Sequence, residues 1–197
     1  AASPLSAART WPERGSRGAP IPVGPFDLGA RLGAGAMGAV WRAHHHRRTL
    51  DVAVKLLPPA QAGDERWDSL LASEIRSVAA LDHPNIVRIL DTGRLGSASE
   101  AVGHGAVRVD SPWFAMGLAD AGTLEPLCGE LDWDGCRSVL LALLDALGHA
   151  HARGVIHLDL KPSNVLLRAE ADGRKSVVLS DFGLARVWAH THQGAWV

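Results

Sequence analysis

The chain has 197 residues, 47% of them hydrophobic, with 20 Lys+Arg against 21 Asp+Glu and a formal net charge of −1. That balance gives no hint of nucleic-acid or anionic-membrane binding through bulk charge, and no nucleic-acid partner is expected. No apolar run approaches the roughly 20 residues of a membrane span.

Two cysteines, Cys128 and Cys136, are too few for a disulfide framework, and no apolar stretch of a signal peptide follows Arg9, Arg14 and Arg17. The expectation is a reduced, cytoplasmic protein. Residues 1–24 are rich in Ala, Arg, Pro, Ser and Gly without an apolar period and read as a disordered, mobile arm. From Phe26 to Leu32 apolar and polar residues alternate as in a strand, and Gly33-Ala34-Gly35-Ala36-Met37-Gly38-Ala39-Val40 follows. A lone G-x-G-x-x-G pattern is a weak signal. It fits a dinucleotide site, an ordinary Gly-rich hairpin, or a hairpin lid whose backbone N–H groups approach phosphates. The dinucleotide reading needs a helix straight after the glycines, whereas Ala39-Val40-Trp41-Arg42-Ala43 reads as a second strand. No Gly-Lys-Ser/Thr ends the run, which excludes a Walker-type loop.

His44-His45-His46-Arg47-Arg48 reads as a solvated turn, because adjacent histidines rarely converge on one tetrahedral ion. Asp51–Leu57 is strand-like with Lys55 among apolar neighbours, and the bland reading of Lys55 is an edge residue that snorkels to water. Residues 65–81 have a helical period, with Trp67, Leu70, Leu71, Ile75, Val78 and Leu81 on one broad face. Glu74 inside that helix is a solvated acid unless it is delivered to Lys55. Pro58-Pro59 ends the strand before this helix, and His83-Pro84-Asn85 ends the helix and opens a strand through Ile89. Residues 91–112 read as a polar surface loop, and Trp113–Met116 as a strand. Residues 136–152 form the most apolar helix, expected to be buried nearly all round, with His149 and His151 at its C-terminal end and Gly154 as its stop.

The stretch Val155 to Asn164 concentrates the chemistry. Asp159, Lys161 and Asn164 lie within six residues, between the apolar runs Gly154-Val155-Ile156 and Val165-Leu166-Leu167. Pro162 disfavours a helix through them. A carboxylate that can take a hydroxyl's proton, beside a cation and an amide oxygen, suits phosphoryl transfer, where catalysis is mostly positioning and charge neutralisation. A short apolar strand, Val177-Val178-Leu179-Ser180, then leads into Asp181-Phe182-Gly183.

In order and spacing these stretches resemble the catalytic domain of bacterial-type (Hanks-type) Ser/Thr protein kinases. The matching pieces are the Gly-rich loop, Val52-Ala53-Val54-Lys55, the helix with Glu74, His83-Pro84-Asn85-Ile86-Val87, His157-Leu158-Asp159-Leu160-Lys161-Pro162-Ser163-Asn164 and Asp181-Phe182-Gly183. The resemblance covers residues 26–197 and implies an α+β, protein-kinase-like bilobal fold. It divides the chain into an arm (1–24), a complete β-rich N-lobe (25–116), and a hinge with the first part of a helical C-lobe (117–197) that ends within the activation loop.

The resemblance also implies ATP and Mg2+ as cofactors and a protein substrate with a Ser/Thr acceptor. Leu32, Gly33, Gly35, Gly38, Val40, Ala53 and Leu166 would enclose ATP, with Met116 as gatekeeper and Gly117 and Ala119 in the hinge. Lys55 would hold the α- and β-phosphates and pair with Glu74. Asp159 would accept the hydroxyl's proton, Lys161 would neutralise the transferred phosphoryl group, and Asn164 and Asp181 would hold the metal. The Asp-Leu-Lys-Pro run points to Ser/Thr rather than Tyr acceptors, and away from small-molecule phosphotransferases. The alternative is a pseudokinase-type ATP-binding or scaffolding module, against which stands the presence of Lys55, Glu74, Asp159, Asn164 and Asp181 together. Leu158 departs from the family, which usually has Arg there to bind a phosphorylated activation loop, and it is expected to pack in the lobe's core. As a fragment, residues 1–197 are expected to be inactive alone.

Overall fold

The computed structural model describes residues 21–35, 38–57, 65–99 and 109–182. Ala36-Met37, Pro58-Pro59, Gly183, residues 1–20 of the expected arm and the stretch 184–197 lie outside them. Two compact units result, one with residues 21–69 and Ile89–Leu118, the other with Leu70–Arg88 and residues 119–182.

The first unit is an antiparallel sheet in the order β1-β2-β3-β4-β6-β5. Its strands are β1 (Ile21–Val23), β2 (Phe26–Gly35), β3 (Gly38–His45), β4 (Asp51–Leu56), β5 (Ile89–Arg94) and β6 (Pro112–Gly117). The expected arm therefore ends earlier than residue 24, because Ile21–Val23 pair with Phe26–Leu28 and Val23 is fully buried. Three residues are too short to show a period in the sequence. Likewise the strand expected from His83 begins at Ile89, and the loop expected over 91–112 is strand as far as Arg94.

Period-2 alternation divides the sheet into two faces. Val23, Phe26, Leu28, Ala43, Val52, Val54, Leu56, Leu95, Trp113 and Ala115 form one buried apolar cluster. The histidine run is partly strand rather than turn, and its side chains diverge. His44 Nδ1 meets Asp51 Oδ1 at 2.8 Å, His46 Nε2 meets Asp27 Oδ1 at 3.0 Å, and the His45 ring sets its edge to Phe26.

The second unit is organised around two helices and a hairpin. In α1 (Glu65–Ala79) Leu71 and Val78 are buried, as is Leu81 just beyond it, while Leu70 is exposed. The helix α2 (Trp133–His151) starts three residues before the expected position, where the Asp132 carboxylate caps it by accepting from the Gly135 N–H at 2.8 Å. Its end is a Schellman turn: Val155 N–H reaches Ala150 O, Gly154 N–H reaches His151 O, and Gly154 adopts a φ of 73°. The expectation of all-round burial fails for α2. Val139, Ala146 and Ala150 face inward towards the hairpin, whereas Leu140, Leu141 and Leu144 are 54%, 51% and 64% exposed. The hairpin pairs β7 (Val165–Ala169) with β8 (Lys175–Leu179).

Trp113 lies against two glycines of the sheet unit. A Cβ at Gly93 would stand 2.6 Å from Trp113 Cζ2, and one at Gly24 equally close. Gly93→Ala should therefore overpack the core and cost about 1–3 kcal/mol, read as a lower melting temperature. The double variant Gly93→Ala/Trp113→Leu should lose less than the sum of the single losses. An unchanged melting temperature for Gly93→Ala would contradict this packing.

Candidate active site

Downstream of Gly154, Val155 and His157 are buried while Ile156, Leu158 and Leu160 point out, at 59%, 57% and 51% exposure. Leu158 thus does not pack in the core as expected. With His157 held inside, Leu158 turns outward in the left-handed region at φ 63°. Asp159 is half-buried.

The three predicted groups of this loop come together. Lys161 Nζ lies 2.8 Å from Asp159 Oδ2. Asn164 is buried and its Nδ2 donates to both Asp159 O (2.8 Å) and Asp159 Oδ2 (3.0 Å). A single 3-10 turn, Pro162–Asn164, brings Asn164 back, and it begins only after Lys161. Partial burial raises the Asp159 carboxyl, but the hydrogen bonds from Lys161 and Asn164 and the Lys161 charge outweigh it and hold the acid below its ordinary value. Asp159 is therefore a carboxylate at neutral pH.

Two residues not singled out from the sequence complete the arrangement. His157 Nε2 lies 2.8 Å from the Ser180 carbonyl oxygen, which can only accept, so this nitrogen carries the proton. His157 Nδ1 is then free to accept the Asp159 N–H at 3.3 Å. Ser180 in turn donates its N–H (2.9 Å) and its hydroxyl (3.0 Å) to the Asn164 carbonyl. A closed circuit, Asp159–Asn164–Ser180–His157–Asp159, joins the loop to the segment that carries Asp181. Asp181 itself sits at φ 62°, and Phe182 packs buried against the His157 ring at 4.7 Å. Burial is the main reason that His157 lies below its ordinary 6.5, and the bond to Ser180 and the charges of Asp181 and Asp159 only partly oppose it.

The sequence signal for His157 was its place in the motif, and for Ser180 only its position before Asp181. A further anchor is the His83–Val87 turn. Leu179 N–H bonds Asn85 O (2.8 Å), Val87 N–H bonds Leu179 O (3.0 Å), and Asn85 Nδ2 bonds Val177 O (2.7 Å). His83 Nε2 reaches Asp145 Oδ2 of α2 at 3.2 Å. Downstream of half-buried Ala119, residues 121–124 run against β7 and carry a bridge to Leu166.

The sheet unit holds the other predicted group. Register puts Gly33 opposite Val40, Val40 opposite Lys55 and Ala53 opposite Met116, so all five lie on the face opposite the apolar cluster. Lys55 is only 4% exposed in β4, which runs between β3 and β6. It is not an edge lysine. A Cβ at Gly33 would meet nothing within 4 Å, whereas one at Gly38 would stand 2.0 Å from Leu56 O. Gly38 is thus required by the hairpin itself, whereas Gly33 faces open space. Leu32 is half-buried beside it, Gly35 closes β2 opposite Gly38, and Gly117 ends β6. Glu74 is half-buried in α1, in the other unit.

The model of the protein kinase domain matches residues 26–196. The chain belongs to the protein kinase family. Among curated relatives this kinase chain is 35% identical over 168 residues to the serine/threonine-protein kinase PknJ of Mycobacterium tuberculosis, covering 84% of the chain and 26% of the relative. It is 33% identical over 166 residues to a probable serine/threonine-protein kinase PknB of Bifidobacterium longum, covering 83% and 23%. The crystal structure of the Mycobacterium tuberculosis PknI kinase domain matches with a TM-score of 0.65 at 26% identity, over 85% of this chain and 63% of that one. The fold is that of protein kinases, and the chain spans about a quarter of the length of the curated relatives it matches. No helix among the described residues is long and apolar enough to cross a membrane.

Members of the family generally use ATP and Mg2+. The donor chemistry here fits that ion. Asn164 spends its Nδ2 on Asp159, while its Oδ1 accepts no hydrogen bond among the described residues, and Asp181 adds a carboxylate. Among the described residues no group of three or more His, Cys, Asp or Glu could hold a metal. Two protein oxygens with phosphates and water making up the rest is how Mg2+ is commonly held.

The neutral state of His157 has a pH signature. A histidine held below 6.5 when folded contributes stability that is complete above that value and is lost as pH falls through the folded one. Thermal melts should therefore show wild-type stability falling from pH 7.5 to 5.5, and His157→Phe, which keeps a ring against Phe182, should show a smaller fall. Equal slopes for the two proteins would contradict the assignment.

Proposed function

We propose that this chain binds ATP with Mg2+ and is the catalytic part of a kinase that phosphorylates Ser/Thr hydroxyls on protein substrates. The observation that carries the reading is the Asp159 carboxylate with Lys161 Nζ and Asn164 Nδ2 each within 3.0 Å of its Oδ2. Asp159, ionised at neutral pH, accepts a hydrogen bond from the acceptor hydroxyl and aims its lone pair. The proton reaches the carboxylate as the new bond from the hydroxyl oxygen to the γ-phosphorus forms and the bond from that phosphorus to the bridging oxygen breaks, with ADP as the leaving group. Lys161, 51% exposed at its side chain, neutralises the phosphoryl oxygens. Asn164 and Asp181 hold the metal, which supplies charge neutralisation on the phosphates. Lys55 holds the α- and β-phosphates with Glu74 as its partner, and Gly33, Gly35 and Gly38 let backbone approach them. Leu32, Val40, Ala53, Met116, Gly117, Ala119 and Leu166 enclose the adenine.

The same reading assigns 25–116 as the nucleotide-holding N-lobe and 117–197 as hinge and partial C-lobe, in a cytoplasmic setting. Residues 1–197 by themselves should not turn over, since Leu140, Leu141 and Leu144 of α2 and Ile156, Leu158 and Leu160 of the loop are left exposed. Leu158, aliphatic and exposed, has no donor for a phosphate, so control through that position does not operate.

In the complete kinase, Lys55→Met and Asp181→Asn should each lower Mg-ATP use by roughly 100-fold or more. Asp159→Asn should abolish transfer to a Ser/Thr peptide while leaving ATP affinity intact, and phosphatase treatment of the wild type should leave activity in place. Equal loss of ATP binding in all three variants would overturn the role assignment. Transfer by residues 1–197 alone would overturn the claim of inactivity.

A further inference from the structure

Ser180 is buried, and every polar group it owns is engaged with the loop that carries Asp159 and Asn164. Its N–H and hydroxyl both donate to the Asn164 carbonyl, at 2.9 and 3.0 Å, and its own carbonyl takes the His157 Nε2–H at 2.8 Å. The backbone N–H alone satisfies the Asn164 oxygen, so the hydroxyl is not needed to avoid a buried unpaired acceptor. A second donor on the same carbonyl fixes its direction as well as its distance. Asn164 is gripped from its other end too, where Nδ2 bonds Asp159 O and Oδ2. Asp181 is the next residue, at φ 62°, so small rotations at Ser180 swing its carboxylate.

We infer that Ser180 is a positioning residue, whose hydroxyl sets the separation of Asn164 and Asp181 and so the Mg2+ concentration at which the site loads. The inference rests on the kinase reading above. A small apolar residue would fill the same buried position, and Ser180→Ala keeps both backbone bonds. What the alanine removes is only the directional constraint on Asn164. The side chain touches no reacting atom, so its effect should appear in metal loading rather than as an outright loss of nucleotide binding.

The test is ATP binding by the complete kinase, measured calorimetrically as Mg2+ is titrated. The half-saturating Mg2+ concentration should rise about fivefold in Ser180→Ala, the effect of one lost hydrogen bond. Ser180→Thr, which restores the hydroxyl, should return to within about twofold of the wild type. A lower melting temperature in Ser180→Ala with no change in half-saturation would mean a merely structural serine and would overturn the inference, as would Ser180→Thr behaving like the alanine variant. If the wild type binds no ATP at any Mg2+ concentration, the kinase reading fails and the inference with it. Wild-type binding with an unaltered Ser180→Ala sinks the inference alone.

Discussion

Two backbone carbonyls, those of Asn164 and Ser180, sit on buried residues and must be paired, and the way they are paired governs the rest of the site. Each is satisfied across the gap between the loop and the segment before Asp181, the first by Ser180 and the second by His157. The arrangement works only if His157 is neutral with its proton on Nε2, because Nδ1 must be free to receive the Asp159 amide. Burial supplies that state. A side-chain requirement in the core therefore fixes the backbone of the proposed catalytic acid, and through Asn164 its carboxylate.

The circuit needs a rigid edge to hang from. Leu179, the last residue of β8, is bonded on both its N–H and its carbonyl to the turn at Asn85 and Val87, and that turn is tied to α2 through His83 and Asp145. Asp159 keeps its place because the paired strands β7 and β8 hold Asn164, just before β7, beside Ser180, just after β8. In the sheet unit the same division of labour appears as alternation. One face of β4 gives Val52, Val54 and Leu56 to the core, and the other carries Ala53 and Lys55. A charged residue is buried there without disturbing the apolar cluster, because it leaves the strand on the opposite side.

Much of this was legible in the sequence because local rules decided it. The strands around Gly33–Gly38, the start of the hairpin after Asn164 and the stop at Gly154 each follow from turn chemistry and period. What was not legible depended on contacts distant in the chain. Ile21–Val23 form a strand only because β2 is there to pair with. The face of α2 that is buried is chosen by β8, and its leucines at 140, 141 and 144 look identical to Val139 by composition. For Lys55 the bland alternative of an edge lysine stayed open, because strand order is not written in the strand. His157 and Ser180 were invisible as a pair, since 23 residues separate them and neither type implies the other. Leu158 was expected inside on hydrophobicity, but its left-handed backbone beside buried His157 turns it outward.

The central claim is that a neutral, Nε2-protonated His157 joins the Ser180 carbonyl to the Asp159 amide. Nitrogen-15 NMR of the imidazole tests it most directly, because the two ring nitrogens report their protonation separately. At pH 7 the account predicts a protonated Nε2 and an unprotonated Nδ1. A neutral ring with the proton on Nδ1, or an imidazolium with both nitrogens protonated, would contradict it.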